Sequence, residues 1–238
     1  MVAFSGADPI GVLIGAKRPS GTLVHKIAVH PDHQRQGHGR HLLESLASKL
    51  AILGPPRIVA EVPEALAPAC GGLLSASGYV QEALLTDYVL TDEIGDERDA
   101  GIPAGRFVIP VTIDDLAANG LSTEADAEVC WERAADTLAA RKAEIAGLAV
   151  ASEERIEACL LYVTHGAAAE VVSLRSFIED DGARVKHLLA RLRAQGIGTF
   201  RFPKVRPPEI SEEALATLGF RPAGGHRLYA TTARSDHA

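Results

Sequence analysis

The chain has few of the residues on which cross-linked or metal-bound small proteins depend. Its 238 residues include only 3 cysteines, and Cys70, Cys130 and Cys159 are far apart in sequence and form no CxxC pair. This spacing argues against a structural zinc site and against a dense disulfide framework. We therefore expect reduced, buried cysteines and no bound metal.

The sequence also lacks a long basic run, a signal peptide and a membrane-spanning apolar stretch. Its formal net charge of −7 repels phosphate backbones, so a nucleic-acid partner is not expected. Residues 1–12 have neither the basic start nor the apolar run of a signal peptide. The sequence therefore predicts a cytoplasmic protein without nucleic-acid or membrane partners.

The composition, with 47% hydrophobic and 23% charged residues, is that of a folded globular protein. Residues 92–106 collect acidic residues, glycine and proline, and this composition is typical of a linker. On each side of it, strand patterns alternate with helix patterns, which favours an α/β (α+β) fold. We therefore predict a first domain at residues 1–91 and a second at residues 107–238.

The first half alternates apolar strand patterns with amphipathic helix patterns. β-Branched and apolar runs predict strands over residues 10–16, 22–29, 57–62 and 83–91. Leucines at helical spacing predict a helix over residues 37–53, which Gly54-Pro55-Pro56 ends, and residues 65–77 are expected to form a shorter helix. The leucines that share one face of the longer helix are Leu42, Leu43, Leu46 and Leu50.

The second half repeats this order with different residues, which indicates two related domains in tandem. The same patterns predict strands over residues 107–113, 146–150, 154–163, 170–177, 197–202 and 226–231, and helices over residues 126–141, 182–194 and 211–218.

The most specific signal is the run IAVHPDHQRQGHGR at residues 27–40. A strand ends at Val29, a polar turn follows, and Gly37 and Gly39 flank the start of the predicted helix. Helix starts expose unpaired N–H groups and the positive end of the backbone dipole, which suits a diphosphate. Gln34 and Arg35, together with Arg40, add donors and positive charge around the same place.

The sequence around Gly37 and Gly39 also has other interpretations. A tight turn at a helix start explains a lone GxG. The dinucleotide-binding fingerprint fits less well, because its third glycine is missing, although Glu61 stands about where a ribose-binding acid would. A Walker phosphate loop is excluded, because no Gly-Lys-Ser/Thr is present.

The pattern Q-x-x-G-x-G/A after an apolar strand and a His-Pro turn resembles the acetyl-CoA motif of the GNAT N-acetyltransferase superfamily. The resemblance covers roughly residues 8–91, and the second half only in its topology. It implies a mixed, mostly antiparallel central sheet flanked by helices, and acetyl-CoA as cosubstrate. The reaction it implies is transfer of the acetyl group to a primary amine by direct attack on the thioester.

The same resemblance implies the residues that hold the cofactor. Ile27, Ala28 and Val29 would pair with the pantetheine arm, and the Val29 N–H would stabilise the developing oxyanion. The pyrophosphate would lie against the turn and helix start, at Gln34, Arg35, Gln36, Gly37, His38, Gly39 and Arg40.

The resemblance also places a general base at Glu61, although a strand carboxylate of this kind is often simply solvated. Two departures from the family pattern concern the next helix. Leu74 stands where the family often has a tyrosine that acts as acid, and Leu66 and Ala67 stand where it often has an asparagine. A non-catalytic acyl-CoA-binding sensor or regulatory module therefore remains the alternative.

The second half lacks the phosphate-binding glycines. Glu179, Asp180 and Asp181 precede its corresponding helix, and three carboxylates there would repel pyrophosphate, so we predict a degenerate GNAT-like domain. The first half lacks the family's usual first strand and two helices, which wall the acceptor pocket. We expect the second half or another subunit, as in a homodimer, to supply that wall. The resemblance implies a small-molecule amine or a protein amine as the acceptor.

Overall fold

The computed structural model describes residues 1–91, 105–121, 129–207 and 209–233. Among them, no helix is long and apolar enough to cross a membrane. The strands are β1 (Val2–Ser5), β2 (Asp8–Arg18), β3 (Gly21–Val29), β4 (Arg57–Pro63), β5 (Val80–Thr91), β6 (Phe107–Pro110), β7 (Ala146–Ala151), β8 (Ile156–His165), β9 (Ala168–Ser176), β10 (Thr199–Val205) and β11 (Arg221–Thr232). The helices are α1 (His38–Leu53), α2 (Ala67–Ala76), α3 (Ile113–Ala118), α4 (Ala135–Arg141), α5 (Ala183–Arg193) and α6 (Glu212–Thr217).

The chain divides into two compact units. The first unit is Met1–Leu85 together with Gly225–Ala238, and the second unit is Thr86–Gly224. In the first unit the strand order is β1-β2-β3-β4-β11-β5, and in the second it is β5-β10-β9-β8-β7-β6. The strand β5 thus contributes residues 80–85 to the first unit and residues 86–91 to the second.

The core of the first unit lies between its sheet and the helices α1 and α2. The four leucines predicted to share one face of α1 are all buried there, which confirms that prediction. Each buried leucine stabilises the unit by roughly 1.5–3 kcal/mol relative to an exposed one. The residues of the sheet and of α2 that share this core with the four leucines include Leu13, Ile58, Leu74 and Tyr229.

The core of the second unit lies under α5. One face of this helix, with Leu188 and Leu192, packs against Phe200 and Phe202 of β10. The strand β8 is buried over its first eight residues, as expected for a strand covered on both faces. A second cluster on the same sheet, which includes Leu138 of α4, fills the other side.

The observed architecture confirms the predicted class, α/β with a mixed, mostly antiparallel sheet flanked by helices. The pairs β3–β4 and β9–β10 are parallel. The antiparallel pairs are β1–β2, β2–β3, β4–β11, β5–β10, β6–β7, β7–β8 and β8–β9.

The unit boundaries differ from the predicted domains of residues 1–91 and 107–238. β11 pairs with β4 from His226↔Pro63 to Thr232↔Arg57, so the last strand of the chain completes the first unit. The local sequence predicts a strand but not its partner. For this reason, the predicted domains differ from the two compact units in where they place β11. Most of the predicted linker, residues 92–104, lies outside the described residues.

Some element boundaries also differ from the sequence expectations. β1 was not predicted, and the strand predicted over residues 107–113 ends at Pro110 because a capping box formed by Thr112 and Asp115 begins α3. The described part of the predicted helix 126–141 is a 3₁₀ turn, Trp131–Arg133, followed by α4. The three cysteines form no disulfide bond, and Cys70 is half-buried while the other two are buried.

Candidate active site

The strands β3 and β4 are parallel neighbours that pair only where they begin. Their register is limited to Thr22↔Ile58 and Leu23↔Val59, although β3 continues for six residues beyond Leu23. From residue 24 onward the two strands diverge, and the backbone groups on the edge of β3 that faces β4 do not pair with β4. An extended chain that enters this opening finds hydrogen-bonding partners along β3.

A β-bulge at His25 coincides with the point where the strands separate. Ile14 pairs with Lys26 but the next residue, Gly15, pairs with Val24, so His25 is the extra residue of β3. A bulge bends its strand and increases its local twist, which directs the rest of β3 away from β4. It also explains why His25 and Lys26 are both exposed although they are consecutive in a strand.

The backbone of Val29 presents its N–H to this opening. The next residue, His30, donates its N–H to Ile10 O of β2 at 2.7 Å. Consecutive residues of a strand direct their backbone groups to opposite sides, so the N–H groups of Val29 and Ile27 point away from β2 and into the opening. Ala28, in contrast, directs its backbone groups to β2. Among the predicted cofactor residues, Ile27 and Val29 therefore have the edge-facing geometry.

The turn after β3 leads into the start of α1 without a side-chain cap. A 3₁₀ turn, Pro31–His33, is followed by Arg35 with φ +62° and by Gly37 with φ +87° as the N-cap of α1. A positive φ is unusual for arginine and indicates a backbone shape imposed by the turn. No side chain hydrogen-bonds to the cap, so the first N–H groups of the helix are available to an anion.

The side chains of the turn have distinct partners. Gln34 Nε2 donates to Val29 O at 3.0 Å, and Gln36 Nε2 donates to Asp32 O at 3.1 Å, so both amides stabilise the turn itself. Arg40 Nε lies 2.7 Å from Glu44 Oε1 in an exposed ion pair. Arg35 is exposed and pairs with no acidic group among the described residues, which leaves it as the available cation of the turn.

The two glycines of the motif have different surroundings. A Cβ on Gly37 would meet nothing within 4 Å, so the space beside the uncapped helix start is open. A Cβ on Gly39 would lie 3.2 Å from Leu73 Cδ2. The missing side chain at Gly39 therefore lets α1 pack closely against α2, a role that the sequence pattern did not indicate.

Glu61 lies on β4 in the part that has separated from β3. It is half-buried and stands two residues beyond Val59, the last residue of β4 that pairs with β3. Its neighbours Ala60 and Val62 belong to the core under α1 and α2, so the Glu61 side chain points to the opposite face of the sheet. Directly across on β11 is Leu228, which is buried.

A tyrosine that the sequence did not single out lies on the other face. Tyr229 of β11 is opposite Ala60, and its hydroxyl lies 3.1 Å from where a Cβ on Gly71 of α2 would stand. A side chain at position 74 would lean toward this same turn of α2, because helical side chains point back toward the N-terminus. The paired glycines Gly71 and Gly72 in a helix were the available signal.

In the second unit an arginine lies at the corresponding opening. The parallel strands β9 and β10 pair over three positions, the last being Arg201↔Glu170, and then diverge. Arg133 is only 4% exposed, and it donates to Pro203 O and, at 3.0 Å, to Lys204 O of β10. The same guanidinium forms a double hydrogen bond with Glu209, at 2.7 and 2.6 Å.

The helix start of the second unit is also occupied. The carboxylate of Asp180 accepts the N–H of Gly182 at 3.1 Å and that of Arg184 at 3.0 Å, both in the first turn of α5. Burial raises the pKa of Asp180, but hydrogen bonds from the Arg184 N–H and guanidinium outweigh it and hold the pKa below its usual range. A carboxylate of the chain itself thus takes the place where an external anion would bind.

Comparisons with known proteins find a family match in the first unit and a similar fold over the chain. Residues 1–73 match the family model described as Acetyltransferase (GNAT) domain. No curated protein matches the sequence. A solved tandem GNAT protein from the clavulanic acid biosynthesis pathway, without acetyl-CoA, is 18% identical with a TM-score of 0.65, over 98% of this chain and 82% of that one. A GCN5-related N-acetyltransferase from Sphaerobacter thermophilus is 12% identical with a TM-score of 0.68, over 96% and 78%. Residues 1–73 therefore match the GNAT acetyltransferase domain, and the fold over nearly the whole chain is like that of these solved GNAT proteins.

Proposed function

We propose that the first unit binds acetyl-CoA between β3 and β4 and transfers its acetyl group to a primary amine. The observation that carries this proposal is the continuity of the free edge of β3 with the uncapped start of α1. The two features suit the two parts of the cofactor, because an extended pantetheine arm needs strand-edge partners and a pyrophosphate needs N–H donors.

The binding residues follow from this arrangement. The backbone groups of Ile27 pair with the amides of the pantetheine arm, and the Val29 N–H lies beside the thioester carbonyl. The N–H groups of the first turn of α1 hold the pyrophosphate beside Gly37, where a side chain is absent. Arg35 adds a positive charge that no acidic group of the described residues neutralises.

The chemistry is a direct transfer with Glu61 as base. The amine nitrogen attacks the thioester carbonyl, a C–N bond forms, and the carbonyl oxygen becomes an oxyanion that the Val29 N–H stabilises. Glu61 accepts the proton that the amine loses, either directly or through a water. The tetrahedral intermediate then collapses, the C–S bond breaks, and coenzyme A leaves as a thiolate that takes up a proton.

The proton for the thiolate comes from Tyr229 in this proposal. Glu61 and Tyr229 lie on opposite faces of the sheet, on the adjacent strands β4 and β11. This separation matches a reaction in which the amine approaches from one face and the thiolate departs toward the other. The hydroxyl over Gly71 also replaces the one that Leu74 cannot provide.

The second unit binds no coenzyme A in this proposal, so each chain holds one acyl donor. Arg133 occupies its strand opening and Asp180 its helix start. Both groups are held by several hydrogen bonds, and a cofactor would have to displace them to enter.

Calorimetry with acetyl-CoA tests the binding site. We expect one molecule per chain and, in Arg35→Glu, a dissociation constant raised about tenfold or more, because an attractive charge becomes a repulsive one. Arg155→Glu, an exposed charge reversal in the second unit, is the control and should bind like the parent chain. Unchanged affinity in Arg35→Glu, or two molecules per chain, contradicts the site.

Release of free thiol with a panel of primary amines tests the transfer. Glu61→Gln should lower kcat by about 10²-fold or more without weakening acetyl-CoA binding. Tight binding with no turnover on any amine would instead mean that the chain is an acyl-CoA sensor.

A further inference from the structure

The opening between β9 and β10 in the second unit contains a cavity of about 150 Å³. It lies next to Arg133, whose guanidinium donates hydrogen bonds to β10. Its walls are formed by Cys130, Glu132, Arg133, Arg141, Glu170, Val171, Val172, Pro203 and Lys204.

The shape of β10 keeps this cavity open. The register of β10 against β5 shifts between Phe202 and Val205, and Lys204 in the shifted segment has φ +54°. The Lys204 N–H donates to Asp87 Oδ1 at 2.8 Å, and Arg133 holds the carbonyls on the other side of the segment. A non-glycine residue with positive φ is held by its surroundings, so the cavity has a defined wall.

The positive charges of the wall already have partners. Arg133 is paired with Glu209, Lys204 with Glu132, and Arg141 with Glu144. Each of these cations is therefore compensated by a carboxylate of the chain.

The carboxylate of Glu170 is the exception in this wall. It is half-buried on β9, and no cation of the described residues pairs with it. Its neighbour in register on β10, Arg201, is exposed and forms no ion pair with it. Because the other charges of the wall are balanced, Glu170 gives the cavity an unpaired negative charge.

Size and lining restrict what this charge can hold. A cavity of about 150 Å³ takes a molecule of roughly the size of benzene. Val171, Val172 and Pro203 supply apolar surface beside the carboxylate. A small organic ammonium ion, with a short hydrocarbon chain and one charged nitrogen, satisfies both surfaces at once.

We propose that this cavity is a binding site for a small aliphatic ammonium ion, which Glu170 holds by a charge-assisted hydrogen bond. The site lies within the second unit and does not depend on acetyl transfer by the first. The second unit would then have kept the family's strand opening and used it for an amine ligand after Arg133 closed it to a cofactor.

Ligand-observed NMR on the full chain, with n-butylamine as the probe, tests the proposal. We expect saturation transfer to n-butylamine at neutral pH, and much weaker transfer to 1-butanol and butyrate, which match its length but lack its charge. Glu170→Gln, which keeps the size of the side chain, should weaken n-butylamine binding about tenfold or more. Glu153→Gln, an exposed carboxylate change in the same unit, should leave it unchanged.

A further variant separates this site from the proposed acceptor site of the first unit. In Glu61→Gln, n-butylamine should still bind at the cavity, so the binding that is lost in Glu170→Gln should persist in this variant. The proposal is overturned if n-butylamine does not bind, if 1-butanol binds equally well, or if only Glu61→Gln weakens the binding.

Discussion

The hydroxyl of Tyr229 and the α-carbon of Gly71 are so close that a Cβ on Gly71 would stand 3.1 Å from the oxygen. The glycine thus leaves room for the one tyrosine hydroxyl that the described residues bring to this turn of α2. A helix interior is an unfavourable place for glycine, by roughly 0.5–1 kcal/mol relative to alanine. The position of the Tyr229 hydroxyl gives a physical reason for a glycine at residue 71 despite this cost.

Tyr229→Phe should lower kcat about 10²-fold, because the departing thiolate loses its proton donor while the ring stays in the core. The dissociation constant for acetyl-CoA should not change. Steady-state thiol release and calorimetry together measure the two effects. Tyr79→Phe is the matched control, since Tyr79 is buried and its hydroxyl has no hydrogen-bond partner among the described residues. A Tyr229→Phe variant with full kcat would remove Tyr229 from the mechanism.

Gly71→Ala and Gly72→Ala should separate catalysis from helix stability. The added methyl at position 71 pushes the Tyr229 hydroxyl aside, so kcat falls while the fold persists. At position 72 nothing lies within 4 Å, so alanine should raise the free energy of unfolding by about 0.5–1 kcal/mol and leave kcat unchanged. Thermal denaturation and thiol release measure both. Equal kcat values in the two variants would contradict the role of the contact.

Arg133→Leu should lower the free energy of unfolding of the second unit by about 3 kcal/mol. The change leaves the Glu209 carboxylate and two backbone carbonyls without their donor in a buried place. Arg141→Leu, which breaks the more exposed pair with Glu144 on the same cavity, should cost less than about 1 kcal/mol. Denaturant titration compares the two variants. Similar losses of unfolding free energy in both would show that the hydrogen bonds of Arg133 do not stabilise the second unit more than the exposed ion pair does.

The acid stability of the second unit should depend on Glu157. Hydrogen bonds from Arg106 outweigh the cost of burial and, with those from Arg184, hold the pKa of Glu157 below its usual range. The unfolded chain therefore binds this proton at a higher pH than the folded chain does. The stabilisation is present above the ordinary carboxyl pKa of about 4.3 and is lost as the pH falls through the lowered native value.

Glu157→Gln should accordingly be less stable than the parent chain at pH 7, and its stability should fall less steeply in acid. Circular dichroism during denaturant titrations from pH 7 to pH 3 measures both curves. Glu154→Gln, an exposed neighbour, should follow the parent curve. Two parallel curves for Glu157→Gln and the parent would contradict the linkage.

The backbone shape of residues 27–40 and the main helices were predictable because their signals are local. The run at residues 27–40 contains the strand end, the turn and the uncapped helix start, and the leucine spacing of α1 fixed its buried face. The carboxylates before α5 were also visible in the sequence, and one of them, Asp180, accepts N–H groups at the start of that helix.

The remaining parts of the site depend on residues far apart in sequence. Tyr229 reaches α2 from the last strand, and Arg133 reaches Pro203 across 70 positions. Their periodicity is that of ordinary core and turn residues, so no local pattern distinguishes them. The same holds for the opening itself, which depends on where β3 stops pairing with β4.

The pairing of β11 with β4 has a consequence for synthesis of the chain on the ribosome. Until residues 225–233 have left the exit tunnel, β4 has no β11 to pair with on one edge. The Tyr229 hydroxyl beside α2 is missing for the same time. The second unit, which is continuous in sequence, has by then been made in full. During translation the first unit should therefore be the last to finish folding, because its final strand is made after the whole of the second unit.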